Sequence, residues 1–309
     1  MKKWILPTLL MLLLTACGDT PENDGKALEE KNASNEENHS NKDKNNGEVP
    51  ASTNGETPDD TEETDEGQEE QEEPGKGEED EEVASPDENT SVTPQYIVNP
   101  GNYSIEPIQD AISEVVLLTI DDAPDRYALE MAKTLQELNV KAIFFVNGHF
   151  IETEEEKAVL KKIYDMGFPI GNHTMSHKSL DNIPEDKQYE EIMELNERIE
   201  EITGEKPRFF RAPFGANTDY VRELVKEEGM ILMNWTYGYD WEAEYREPEA
   251  LKEIMINSDQ LRNGANLLMH DREWTNEALP GIVKGLQEKG YQIVDPDLIG
   301  AEEEVTTSE

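Results

Sequence analysis

Between residues 113 and 296, short runs of β-branched and aromatic residues alternate with longer stretches whose apolar residues recur every three or four positions. VVLLTI (115–120), KAIFFV (141–146), FPIGN (168–172), RFFR (208–211), MILMNW (230–235), ANLLMH (265–270) and YQIV (291–294) read as seven strands. Helical spacing occupies the second half of DDAPDRYALEMAKTLQELN, then ETEEEKAVLKKIYDMG and the region around 186–202. It returns in TDYVRELVKEEG, EPEALKEIMINS and NEALPGIVKGLQEKG, and glycine or polar turns end these stretches. Regular β–α alternation predicts a parallel sheet and an α/β fold. Seven repeats within 96–300 suit a distorted or incomplete (β/α)7 barrel, or else a doubly wound sheet. No internal sequence repeat is visible.

The pattern fails before residue 96. From Gly18 to Gln95 the chain is Glu, Asp, Asn, Gly, Ser, Thr and Pro, with 27 acidic against 5 basic residues. Such a segment cannot bury enough apolar surface to offset its ordering entropy, so a disordered, self-repelling linker is expected. The first residues differ again. MKKWILPTLLMLLLTAC has a basic start, an apolar centre too short for a membrane span, and small residues before a cysteine, which is the form of a secretory signal. LTAC resembles the lipobox of bacterial lipoproteins, and Cys17 is the only cysteine in the chain. The expected organisation is a signal peptide over 1–16, lipidated Cys17 with an acidic tether over 17–95, a folded domain over 96–300 and an acidic tail over 301–309. The expected location is the outer face of a bacterial membrane, with the domain reaching into the wall.

Net charge is −44 for the chain and −24 from residue 96 onward. That balance argues against a nucleic-acid partner, because such binding needs basic residues to neutralise phosphates. It says little about a neutral sugar polymer.

Chemistry-bearing residues collect after the strand candidates: Asp121 and Asp122, Asn147 and His149, His173 and His177, Arg211, Asp240 and Trp241, and His270. In barrels and open parallel sheets the carboxyl edge of the strands holds the active site. His173 and His177 are four apart, which on a helix would place both imidazoles on one face and within reach of one metal ion. One of Asp121 and Asp122 would be the third ligand and the other a base. Two imidazoles and a carboxylate leave positions open on a divalent ion, as in catalytic sites. His270 is a candidate proton donor, oriented by Asp240, while Arg211 would hold the basic aspartate. Arg211 and Asp240 could equally form a structural ion pair. Base, metal and acid together describe hydrolysis of an amide or ester.

These motifs resemble those of the polysaccharide deacetylases of carbohydrate esterase family 4, the NodB-homology domain. TIDD (119–122) is similar to T-F-D-D, HTMSH (173–177) to H-[ST]-x-x-H and RAPFG (211–215) to R-x-P-[YF]-G. DW (240–241) matches the end of the fourth motif and LMH (268–270) matches L-x-H. The resemblance implies Asp121 as catalytic base and Asp122, His173 and His177 as metal ligands. It further implies Arg211 positioning the base, the Phe214 amide at the oxyanion, Trp241 and Leu268 lining the substrate pocket, and His270 as acid. The implied cofactor is one divalent ion, zinc first, with cobalt, manganese or nickel as alternatives. The implied reaction removes N-acetyl groups from a cell-wall polysaccharide, with peptidoglycan favoured by the lipoprotein-like start. Chitin oligosaccharide, xylan and a non-catalytic wall-binding role are the alternatives, and no obligate protein partner is expected. Ile120, Ala123 and Tyr237 depart from the usual Phe, Gly and Asp. Tyr237, Tyr239, Trp241 and Trp274 are candidate sugar-stacking rings.

Overall fold

The computed structural model of the chain describes residues 93–301. The expected signal over 1–16, Cys17, nearly all of the tether and the tail after 301 lie outside them.

An antiparallel pair comes first, β1 (Tyr96–Val98) with β2 (Ile105–Pro107). The remaining strands are β3 (Val115–Ala123), β4 (Ile143–Val146), β5 (Ile170–Asn172), β6 (Phe209–Phe210), β7 (Ile231–Leu232), β8 (Ala265–His270) and β9 (Gln292–Ile293). These seven form one parallel sheet in the order β7-β6-β5-β4-β3-β8, with β9 also paired to β3. Because β8 occupies the other edge of β3 at Val116, β9 lies on the β4 side, below the start of β4. Helices α1 (Ala128–Glu137), α2 (Glu154–Asp165), α3 (Glu185–Thr203), α4 (Asp219–Glu227), α5 (Pro248–Asn257) and α6 (Glu273–Glu288) connect them.

The barrel is incomplete at one seam. β7 is only two residues long, shorter than the expected 230–235, and does not run beside β8. Instead the chain beyond it touches β8 through Thr236 N–H to Asn266 O (2.7 Å) and Leu268 N–H to Tyr237 O (2.9 Å).

Alternation along the strands divides two cores. Val116, Leu118 and Ile120 face the helices with Phe144, Val146, Leu267 and Met269, against Leu279, Ile282 and Val283 of α6. Val115 and Leu117 face the interior with Ile143, Phe145 and Phe209, together with Tyr96 and Ile105 of the β1–β2 pair. The β1–β2 pair was absent from the expected elements, yet it fills the barrel interior. Gly264 makes its approach possible: a Cβ there would lie 2.1 Å from the Ile105 carbonyl, and its φ is +75°. Extending the same period of two, Thr119, Asp121, Arg211, Asn266, Leu268 and His270 also take the interior side. A strand pattern that reads apolar at its lower end therefore turns polar at its carboxyl end on the same face.

Candidate active site

The carboxyl end of the sheet opens on a cavity of about 510 Å³ lined by Asp121, Asp122, His173, His177, Phe214, Trp235, Asp240, Trp241, Leu268, His270 and Arg272. Ordinary alternation would send adjacent Asp121 and Asp122 to opposite faces. Here Ile120 pairs with Phe144 and Ala123 with Val146, so β3 spends one more residue than β4 over this stretch. Asp122 takes the left-handed conformation, φ 58°. This bulge brings both carboxylates to one cavity.

Asp121 is 2% exposed and one oxygen accepts from Arg211 Nη1 at 2.6 Å. Arg211 is completely buried; Nη1 also donates to Thr119 Oγ1 (2.8 Å), Nη2 donates to the Asn234 carbonyl (2.7 Å), and its guanidinium lies over the Phe145 ring. A buried guanidinium with these partners fixes one face of the Asp121 carboxylate. The other oxygen lies 3.5 Å from His173 Nε2.

His173 and His177 are not on a helix. They occupy the loop after β5, where Thr174 (φ 69°) and His177 (φ 54°) turn the backbone left-handed. The four-residue spacing does not produce a helix here, because polar side chains capture this loop's backbone. Asn147 Nδ2 donates to the His173 carbonyl (2.5 Å), Asn172 Oδ1 accepts from Thr174 N–H (2.8 Å), and Glu191 of α3 accepts from Ser176 N–H (2.8 Å) and its hydroxyl. The loop nevertheless sets the two rings 5.1 Å apart. His149, by contrast, packs on Phe150 in the turn after β4 and does not line the cavity.

One ligand atom each from Asp122, His173 and His177 lie within 4.8 Å of one another. The Arg211 carbonyl is 2.7 Å from His173 Nδ1, so Nδ1 donates there and Nε2 is the nitrogen turned to the cluster. Burial, followed by the neighbouring His173, lowers the His177 pKa and favours its neutral, ligating form. For Asp122, burial acts upward, but His270, His173, His177 and Arg272 outweigh it and the net shift is down. Two imidazole nitrogens and a carboxylate oxygen fit one borderline divalent ion.

Across the cavity, His270 Nδ1 is 2.7 Å from Asp240 Oδ1. Asp240 is 1% exposed; its second oxygen accepts from His270 N–H (2.6 Å) and Thr275 Oγ1 (2.8 Å), and Trp274 Nε1 donates to its carbonyl. Burial pushes the His270 pKa down, but the charge and hydrogen bond of Asp240, with smaller help from Asp121 and Asp122, leave it raised. The ring is thus held cationic more readily than a free imidazole, with Nε2 left for the cavity.

Phe214 turns the chain at φ 59°, is 69% exposed, and sits 4.9 Å from the His177 ring. Trp241 is 42% exposed and 5.6 Å from the His270 ring, and Leu268 lies buried on the lining. Of the four candidate stacking rings, Trp241 alone lines the cavity. Tyr237 is buried in the core with its hydroxyl on the Met255 carbonyl (2.7 Å), Tyr239 bonds Ser258 Oγ, and Trp274 serves Asp240. Trp235 and Arg272 line the cavity without having been anticipated. Trp235 falls inside a stretch that reads as strand, and nothing in the motif spacing marks Arg272.

Comparison with known proteins places this fold. Residues 109–233 match the family described as polysaccharide deacetylase. The uncharacterized protein YlxY of Bacillus subtilis is 31% identical over 170 residues, covering 55% of this chain and 51% of its own. A peptidoglycan-N-acetylglucosamine deacetylase of Bacillus cereus is 30% identical over 188 residues, covering 58% of this chain and 68% of its own. The crystal structure of BA3943 from Bacillus anthracis, a CE4 family pseudoenzyme, aligns with a TM-score of 0.54 at 28% identity, over 62% of this chain and 66% of that one. A mutant of BA3943 has restored enzymatic activity. The chain belongs to the polysaccharide deacetylase family, carbohydrate esterase family 4. It spans about half the length of YlxY and about two thirds of the other two proteins.

Proposed function

We propose that this protein is a metal-dependent N-deacetylase of a cell-wall polysaccharide, with N-acetylglucosamine of peptidoglycan as its substrate sugar. The observation that carries it is the convergence of a buried pair, Arg211–Asp121 at 2.6 Å, and a half-buried His270 held by buried Asp240 at 2.7 Å, on the cavity that holds Asp122, His173 and His177. A divalent ion bound by those three residues, zinc first among the candidates, would polarise the acetyl carbonyl and acidify water beside it. Asp121, fixed by Arg211, takes the proton of the attacking water. The water oxygen bonds to the carbonyl carbon and the amide C–N bond breaks. His270 gives the leaving amine its proton from Nε2, and Asp240 stabilises the ring while it is charged. The Phe214 N–H serves the oxyanion, Leu268 shapes the acetyl pocket, and Trp241 offers a flat apolar face to the sugar.

Kinship with a pseudoenzyme favours one second reading, a wall-binding protein without turnover. The presence of both Asp121 and His270 in the cavity supports the enzyme instead. Mass spectrometry of peptidoglycan fragments incubated with the protein decides: mass losses of one acetyl group on glucosamine support the proposal, and unchanged fragments refute it. Parallel reactions with chito-oligosaccharides and acetylated xylan test the other polymers.

The same proposal extends to placement. Cys17 would carry lipid and the acidic segment would let the domain reach the wall. Cys17→Ser should move the protein out of the membrane fraction, and unchanged fractionation would refute the anchor. Among the described residues, no helix is long and apolar enough to cross a membrane.

A further inference from the structure

The turn between β8 and α6 carries two residues that the reaction above does not use. Asp271 is buried, and its carboxylate accepts the backbone N–H groups of Arg126 (2.9 Å) and Tyr127 (2.6 Å). Its own N–H donates to the Asp121 carbonyl at 3.1 Å. The turn is thus tied to the chain on both sides of the β3 bulge. Arg272 reaches back over that bulge. Its Nη2 donates to Asp122 Oδ2 at 2.9 Å, its Nη1 donates to the Asp271 carbonyl at 3.0 Å, and Nη1 lies 3.6 Å from Asp125 Oδ2. The other oxygen of Asp122, Oδ1, is the one 3.5 Å from His177 Nε2.

We propose that Arg272 is a positioning residue for the metal centre. By holding Oδ2 of Asp122 it leaves Oδ1 facing the imidazoles and makes Asp122 a one-oxygen ligand rather than a chelate through both oxygens. The proposal rests on the metal reading of the site. A planar guanidinium anchored on the Asp271 carbonyl suits this task better than a flexible ammonium, because its direction is set before it meets the carboxylate. Two effects of Arg272 on a bound cation oppose each other. Its charge repels the ion, while its hydrogen bond restricts the ligand to the productive orientation. Partners that orient metal ligands commonly contribute about 10–100-fold in affinity, and here orientation outweighs repulsion.

The test is a Co²⁺ titration of the metal-free protein, followed by visible absorption, for wild type, Arg272→Met and Arg272→Lys. Arg272→Met should bind Co²⁺ about 10–100-fold more weakly and show an altered absorption band, because the coordination changes. Arg272→Lys should recover part of both, since an ammonium can reach Oδ2 without the second anchor. Thermal melting of the metal-free forms checks folding, and Arg272→Gln replaces the Met variant if that one does not fold. Affinity of Arg272→Met equal to or tighter than wild type overturns the proposal, because repulsion would then be the larger effect. Wild type giving no cobalt band removes the metal reading and this proposal with it. If wild type binds cobalt, Arg272→Met binds it weakly and neither releases acetate from any polymer, the deacetylase reading falls and the positioning role stands.

Discussion

Asp240→Asn isolates the acid half of the site. In the wild type, Oδ2 accepts His270 N–H and Thr275 Oγ1, while Oδ1 faces His270 Nδ1 at 2.7 Å. Asparagine can keep its oxygen on the first two donors, which leaves its NH2 group facing Nδ1. That amide can only donate, so Nδ1 must accept and the imidazole proton moves to Nε2 in a neutral ring. A neutral imidazole is a poor proton donor to an amine. General acid assistance contributes about 10²–10⁴-fold, and that whole factor is at risk, equivalent to about 3–5 kcal/mol in the barrier. The pH dependence should also change. Asp240 raises the His270 pKa, so its loss should move the alkaline limb of the rate profile toward acid. A histidine whose pKa rises on folding stabilises the fold below its unfolded value, about 6.5, and loses that contribution as pH rises through the folded value. The stability difference between wild type and variant should therefore be largest on the acid side of neutrality and shrink toward alkaline pH. Acetate release from a chito-oligosaccharide between about pH 5 and 9, at one fixed metal concentration, measures the first two effects, and thermal melts across the same range measure the third. A variant that keeps both the wild-type rate and the wild-type alkaline limb would refute the assignment of His270 as an acid tuned by Asp240.

Three further outcomes are expected. Asp121→Asn should lower acetate release by about 10²–10⁴-fold while bound metal stays near wild type; an emptied metal site would reverse the roles of the paired aspartates. Arg211→Met leaves Asp121 buried without its cation and should cost about 3–5 kcal/mol in urea denaturation, and a loss below about 1 kcal/mol would mean that the pair is dispensable for the fold. Tyr237→Phe removes one buried hydrogen bond and should cost about 1 kcal/mol of stability without raising KM, whereas Trp241→Ala should raise KM at little cost in stability; the opposite assignment of effects would exchange core and substrate contact.

Much of the sheet was legible because parallel strands buried on both faces read as nearly continuous apolar runs, as Val115–Ile120 and Ala265–Met269 do apart from Thr119 and Asn266. Strand lengths were less so. Met233 and Trp235 look like strand, but after Met233, whose N–H still donates to the Phe210 carbonyl, the chain leaves β6 and meets β8 from Thr236 on, a choice made by backbone partners far away in sequence. The β1–β2 pair is three residues on each side and carries no periodicity of its own, so its place inside the barrel could not be read. At the site, the strand ends pointed to Asp121, Asp122, Arg211 and His270, since a strand's carboxyl end fixes where such residues emerge. The conformation of 173–177 was not legible. Its four-residue spacing fits a helix, and only Asn147, Asn172 and Glu191, each from another element, make it a loop. Tyr237 and Trp274 illustrate a similar limit: composition cannot tell an aromatic ring that packs or props from one that meets a ligand.

The bulge at the end of β3 has a mechanical consequence. The proposed proton acceptor and metal ligand are neighbours in the chain, joined by a single planar peptide unit, the stiffest tether that a polypeptide offers. Breathing of the sheet, or displacement of the loop carrying His173 and His177, changes how far each aspartate stands from its partners. Their attachment points on the backbone cannot drift apart, because one covalent link moves both. Thermal motion at this strand tip is therefore shared by the two functions.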